Sequence, residues 1–438
     1  MLNPTMTLPR LISGISKGGC AILDQALFAG TNFLCNILLA RWLEPAQYGA
    51  FAIAYSVFLL LSTFHSAVLT EPMLVFGAGK YADYFPKYLR RLIQGHWLIT
   101  SVLGVILAVL ALVLRLWGFP DLCESLGGLA IASPFILFMW LMRRSFYVRS
   151  QPQWSATGGI LYLGLMSAGL YGLFSAQRLS AASCLIVMGV ASLVVGLWLL
   201  TLLCPPSLLL ESHPQPAILW SDHWSYGRWA TATAVFTWLP SGIAYLLLPA
   251  WTGLEGSAIL RATMNIVMPI LHANVAISVL LLPFFTRAYA LNRDEHFAFL
   301  VRIALILFAF GAAGYWGLIL CFRENLFLWV YGGRYTVHLN MLVLVGLLPV
   351  LAGMNAVLST ALRAMERPDQ VFWGSIASCL VTVSVGLWLT VSYGVTGALT
   401  GLLASSATAV ACVGWLYIRD HADRRKKDAA AHQRYSTV

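Results

Sequence analysis

The stretch SAILRATMNIVMPILHANVAISVLLLPFF, residues 257–285, decides what kind of protein this is. Its only charged side chain is Arg261. A helix crosses the bilayer core with about 20 predominantly apolar residues, and a soluble helix of this length needs a polar face that the stretch lacks. Comparable runs recur on both sides of it: 18–40, 48–76, 92–117, 126–142, 156–176 and 181–204 before it with 229–250, then 299–321, 339–362, 371–391 and 395–418 after it. Across 438 residues only 10% are charged, against about 25% in soluble domains, and the mean hydropathy is +0.78. This composition excludes a soluble enzyme, a disulfide-stapled secreted domain and a disordered chain. Alternating ten-residue segments are absent, which excludes a β-barrel. The expected fold class is an all-α polytopic membrane protein with about twelve transmembrane helices.

The basic residues give the expected orientation. Of the 27 Lys and Arg, 21 fall on the side of the N-terminus and six (Arg41, Arg115, Arg178, Arg261, Arg323 and Arg334) on the other. Cytoplasmic loops carry such an excess, so both termini are expected in the cytoplasm of a bacterial inner membrane. Arg143, Arg144 and Arg149 are counted here as residues of an inner loop. The net charge of +10 therefore orients the protein and points to no nucleic-acid partner, since no recognition motif accompanies it. The eight cysteines show no CxxC pair and read as small buried hydrophobes. The first apolar run is too long for a signal peptide and lacks a processing site.

The connection 205–228 holds Pro205, Pro206, Pro214 and Pro216 and reads as a cytoplasmic linker between two six-helix lobes, 1–204 and 229–418, with a basic, flexible tail at 419–438. Internal similarity supports the division. Glu44 and Pro72 recur as Glu255 and Pro283, each 211 residues on, and Pro152 in SQPQW recurs 216 residues on as Pro368 in ERPDQ. With an even number of spans per lobe, the bundles relate by a pseudo-two-fold axis along the membrane normal, an arrangement of transporters.

Charges within membrane helices are costly, roughly 2.5–3.5 kcal/mol at the centre, and mark functional positions. Asp24 and Gln25 lie about two turns into the first span, and Glu71 lies about as deep from the inner end of the second. Either the two carboxylates share a proton or cation, or one of them latches to Arg228 at the start of the seventh span. Glu71→Gln and Asp24→Asn are expected to impair transport without loss of folded protein. Arg261, a turn into the eighth span, either seats an anionic head-group with its forked donors or snorkels to the interface. His65 and His272, each in the second helix of its lobe, read either as proton relays or, the more ordinary case, as helix-packing histidines with satisfied hydrogen bonds. No triad, carboxylate pair or metal cluster of an enzyme stands out, and the largest outer loop, 322–338, has Glu324 as its one carboxylate. No cofactor is expected, although H+ or Na+ coupling fits a transporter.

Three stretches together resemble the polysaccharide-transport (O-antigen flippase-like) family of the multidrug/oligosaccharidyl-lipid/polysaccharide (MOP) exporter superfamily. They are DQALFAGTNFLCNILLARWLEPAQYGAFAIAYSVFLLL at 24–61 with TEPM at 70–73, the stretch 257–285, and LFLWVYGGRYTVHLNMLVLVGLLPVLAGMNAVLSTALRAMERPDQ at 326–370. The resemblance implies a MATE-like pair of six-helix bundles. It also implies a flippase that moves an undecaprenyl-diphosphate-linked oligosaccharide between leaflets by alternating access, with Arg261 at a family-like position. Membrane lipids, a polysaccharide polymerase and the chain-length machinery are the partners so implied. The alternatives are a cation-coupled drug or metabolite antiporter of the same superfamily, or a polytopic polymerase or ligase.

Overall fold

The structure, a computed structural model, describes residues 8–203, 216–291, 294–335 and 339–436. Part of the expected linker (205–215), Cys204 before it and Arg293 lie outside these. All regular elements among the described residues are helical.

The first unit comprises Met1–Trp238. Its helices are α1 (Leu8–Trp42), α2 (Pro45–His65), α3 (Glu71–Phe76), α4 (Phe85–Leu116), α5 (Pro120–Val148), α6 (Pro152–Ser175), α7 (Ala181–Leu203) and the first part of α8 (Pro216–Leu247). A π turn at Ser66–Thr70 joins α2 to α3, so that Pro45–Phe76 forms one span. Proline opens α2, α5 and α6, where its missing N–H costs nothing and its fixed φ suits the first turn. Helix α5 is the centre of the unit. It packs on α7 through small residues: a Cβ added at Gly128 would lie 3.0 Å from the Ala182 Cα, and one at Gly189 would lie 2.9 Å from the Ala132 Cα. Close backbone approach of this kind holds membrane helices together where lipid removes the hydrophobic drive. Helix α4, by contrast, exposes Leu98, Val102, Val105, Ile106 and Val109 along one side, the face that lipid solvates.

The second unit comprises Leu239–Val438, so the division falls within α8. It contains α9 (Pro249–Ala290), α10 (Asp294–Cys321), α11 (Arg323–Tyr331), α12 (Met341–Val345), α13 (Leu347–Ala364), α14 (Pro368–Val381) and α15 (Leu387–Ser436). Its core joins Phe285, Phe297, Phe308, Val357, Leu362 and Val413.

Among the described residues ten helices are long and apolar enough to cross a membrane, and a bent pair in α8 (Leu219–Ala232 and Ala234–Leu247) adds an eleventh. One of the ten, Pro368–Ala422, has 55 residues, about 80 Å at 1.5 Å per residue and far longer than a hydrocarbon core of about 30 Å. It divides at Gly394, whose φ of 59° and ψ of −130° belong to a region open to glycine. A Cβ at Gly401 would meet the Gly386 Cα at 2.8 Å and one at Gly374 would meet Val413. Both pairs are symmetric about 393–394, so the chain folds back antiparallel there and makes two crossings. Twelve crossings result, as the apolar runs predict.

The repeated proline loops match in backbone detail. Ser150 and Glu366 both adopt positive φ, 54° and 61°. The N–H groups of Ser150 and Gln151 donate to the carbonyls of Tyr147 and Phe146, and those of Glu366 and Arg367 donate to Arg363 and Leu362. These are paired Schellman closures, each followed by a proline that opens the next helix.

Two expectations need correction. Helix α5 runs on through Val148 rather than ending near Met142, so Arg143 is a helix residue and not a loop residue. The tail is helical to Ser436 instead of flexible, consistent with the strong helix propensity of its Ala, Lys and Arg.

Candidate functional site

In the first unit, Asp24 is buried on α1, 1% exposed, and its partner is Arg143 of α5. Arg143 Nη2 donates to Asp24 Oδ1 at 2.6 Å and Nε to the same oxygen at 3.2 Å. Tyr147, one turn further along α5, donates its hydroxyl to Asp24 Oδ2 at 2.6 Å, and the Gln25 amide reaches that hydroxyl as well. The guanidinium also lies 4.2 Å from the Phe28 ring centroid. Arg143 and Tyr147 share a helix face because they are four residues apart. A buried pair satisfied in this way is costly to break from one side, about 3–5 kcal/mol. The latch of Asp24 to Arg228 expected above is thus replaced by one to Arg143, which the sequence reading had left in a loop. The i, i+4 spacing of Arg143 and Tyr147 before the SQPQW turn was the available signal.

Glu71 opens α3, directly after the π turn, and is exposed. It lines a cavity of about 610 Å³ with Thr63, Ser225, Tyr226, Ala230, Ala234 and Thr237. Asp24 is not among the lining residues, and both its oxygens are engaged elsewhere, so the two carboxylates are not brought into one site. Arg228 lies on α8 between the lining residues Tyr226 and Ala230, with its side chain exposed.

The start of α8 is pinned below that cavity by contacts that sequence reasoning missed. Lys80 Nζ pairs with Asp222 Oδ2 at 2.5 Å, and the Tyr81 hydroxyl donates to the same oxygen at 2.7 Å. The hydrogen bond to Asp222 raises the Lys80 ammonium above the usual lysine range. Buried His223 donates from Nδ1 to the Val68 carbonyl at 2.9 Å, inside the π turn, which leaves Nε2 to accept the Tyr88 hydroxyl at 2.7 Å.

In the second unit, Arg261 on α9 is 5% exposed and so does not snorkel. Its guanidinium carbon stands 5.9 Å from the Tyr245 ring centroid, and the two side chains are hydrogen-bonded. Asn265, one turn on, is buried and hydrogen-bonds Tyr331, whose hydroxyl also donates to the Ala262 carbonyl at 2.8 Å. The Tyr335 hydroxyl is buried without a hydrogen-bond partner. Burial pushes its phenol up to about 12, so it remains a donor at any physiological pH. The cluster gathers a fixed cation, an amide and phenols, and the charges of Glu255 and Arg334 act on Tyr335 at its edge. Among the described residues no group of His, Cys, Asp and Glu is placed to hold a metal ion.

The apolar crossings among the described residues, with polar clusters buried inside both units, define an all-helical multi-pass membrane protein. Solved structures agree on that fold. The chain superposes on an inward-facing multidrug-resistance MATE transporter of the MOP superfamily with a TM-score of 0.71 at 14% identity, covering 93% of this chain and 99% of that one. With the lipid II flippase MurJ in an inward closed conformation the TM-score is 0.71 at 12% identity, over 94% and 89% of the two chains. With the eukaryotic MATE transporter AtDTX14 it is 0.65 at 13% identity, over 95% and 99%. No protein-family model and no curated protein matches the sequence. The fold is therefore that of the MOP transporters, shared by multidrug exporters and a lipid flippase.

Proposed function

We propose that the protein is a flippase that carries an undecaprenyl-diphosphate-linked oligosaccharide from the cytoplasmic to the periplasmic leaflet of a bacterial inner membrane, for surface polysaccharide synthesis. The observation that carries this reading is the Arg261 cluster. A guanidinium buried beside Tyr245, with Asn265, Tyr331 and the orphaned Tyr335 hydroxyl nearby, offers forked and single donors to a diphosphate or an acidic sugar. Glu71 on the cavity wall of the first unit, with Arg228 and Gln25 exposed in the same unit, completes the translocation residues, while Asp24, held by Arg143, is left to a structural role. The fold it shares with a lipid II flippase supports the class, and the three sequence stretches quoted above support the polysaccharide branch. Alternating access requires two arrangements close in free energy that cargo and a gradient bias. The partners are the lipid-linked glycan, membrane lipids, a polymerase and chain-length machinery, and both termini face the cytoplasm.

A deletion strain tests this directly. Lipid-linked repeat units should accumulate on the inner leaflet, and surface polysaccharide should return with the wild-type gene. A strain with normal surface polysaccharide and a new sensitivity to cationic compounds would instead make the protein a drug antiporter, the reading that its MATE-like fold keeps in second place.

A further inference from the structure

Between α2 and α4 of the first unit lie two histidines whose rings face each other inside the bundle. His65 and His96 are both fully buried, with His65 Nε2 and His96 Nδ1 2.9 Å apart and the rings at 89°. Their outer nitrogens, His65 Nδ1 and His96 Nε2, have no hydrogen-bond partner in this structure. A packing histidine has no use for this arrangement. Whichever ring donates across the 2.9 Å contact, one outer nitrogen carries an unshared proton and the other an unshared lone pair, and each buried unmade hydrogen bond is costly.

The environment shows which state is present. The α5 side closes the pair with Phe138, whose ring centroid is 5.8 Å from that of His96, and α4 adds Trp97 at 4.9 Å. The two rings act on each other, and the Pro134 carbonyl of α5 reaches His96 as an acceptor whose geometry falls short of a full hydrogen bond. Glu71, the charged residue of the same span, lies past the π turn and lines the cavity. An imidazolium has no counter-charge here, so the packing seen holds the neutral pair.

We propose that His65 and His96 form a proton-binding site that couples proton uptake to a rearrangement of the α2–α4 interface. The proton enters on the bare outer nitrogen, and the existing proton of the pair is then shared between Nε2 of His65 and Nδ1 of His96. No bond other than N–H forms or breaks. Because the closed packing does not accommodate the added charge, the protonated pair selects a conformation in which the interface is wetted. Its use in a transport cycle rests on the transporter reading above, whereas proton binding itself does not.

The test uses the full-length protein in lipid vesicles without cargo, with the proton as the probe. His65→Gln and His96→Asn place an amide where each facing nitrogen stood, so the double variant keeps the cross-helix hydrogen bond and loses both titrating rings. On acidification from pH 8 to pH 4, wild type should take up about one proton per chain more than the double variant, read with an indicator dye. Superimposable uptake curves would overturn the proposal. If the double variant does not fold, nitrogen-15 histidine NMR of the wild-type chain decides. A hydrogen-bonded histidine pair with a bare nitrogen at pH 8 that gains a proton by pH 4 is expected, and a pair unchanged over that range overturns the assignment. Neither result bears on the deletion-strain experiment, so the two readings fail separately.

Discussion

Each unit buries an arginine, and the two are treated differently. Arg143 in the first unit is clamped by three donor contacts to Asp24, two of them to the carboxylate, and ties α5 to α1. Arg261 in the second unit stands against a phenol and near an amide. The first arrangement is a strut, because a carboxylate and a tyrosine answer its charge inside one unit. The second groups a guanidinium with phenols and an amide, the arrangement on which the proposed function rests. Burial alone, similar for both, does not separate structural from functional charge; the chemistry of the neighbours does.

The largest effect that would break this contrast is on stability. Asp24→Ala strands Arg143 in the interior and should lower the unfolding free energy by about 3–5 kcal/mol, seen as a large fall in the thermal midpoint of the purified protein. Removing both partners as Asp24→Asn with Arg143→Gln should recover part of that loss. A single variant as stable as wild type would show that the pair is no strut. The expectation that Asp24→Asn leaves folding untouched is accordingly withdrawn, while it stands for Glu71→Gln.

Next comes Arg261→Lys, which keeps the charge and loses the fork. It should weaken retention of the head-group by about tenfold to a hundredfold, the scale of a charge-assisted hydrogen bond of about 1.5–3 kcal/mol. The check is accumulation of lipid-linked repeat units in cells carrying the variant, with the thermal midpoint unchanged. Full complementation would reduce Arg261 to a packing residue. Glu71→Gln should leave stability within about 0.5 kcal/mol, as exposed positions do, yet slow transport. Transport at the wild-type rate would remove the carboxylate from the cycle.

The smallest effect concerns Lys80 and its bond to Asp222. A lysine held above its ordinary range in the folded protein contributes stability that is complete below the unfolded value and is lost as pH rises through the folded one. Its contribution should thus stay constant from pH 6 to 9 and fade only in strong alkali. Comparing the thermal midpoints of wild type and Lys80→Ala across that range checks it, and a difference that varied within pH 6–9 would contradict the assignment.

The crossings were legible because apolar length is a one-dimensional property: 257–285 and 371–391 announce themselves without reference to any neighbour. The repeat was legible through two prolines 216 residues apart, whose loops prove to share positive φ at Ser150 and Glu366. Pairings between helices were not. Asp24 meets Arg143 across 119 positions and His65 meets His96 across 31. A double arginine at 143–144 looks like the end of a span until the fold buries one member. Arg261 was legible as a charge in an apolar run, while its burial, which decides against snorkelling, required the packing of α8 and α11 residues around it.

The π turn at Ser66–Thr70 holds one residue more than a regular turn would need. Deleting a single residue there would let the span close into uninterrupted α-helix at nearly the same length and phase, because about five residues at π pitch turn as far as about four at α pitch. The same deletion in the regular part of α2 would instead swing everything downstream by about 100°. With that second deletion Glu71 would leave the cavity wall while the protein still inserted normally. A deletion scan through this segment would therefore separate membrane integration from activity in a way that no point substitution can.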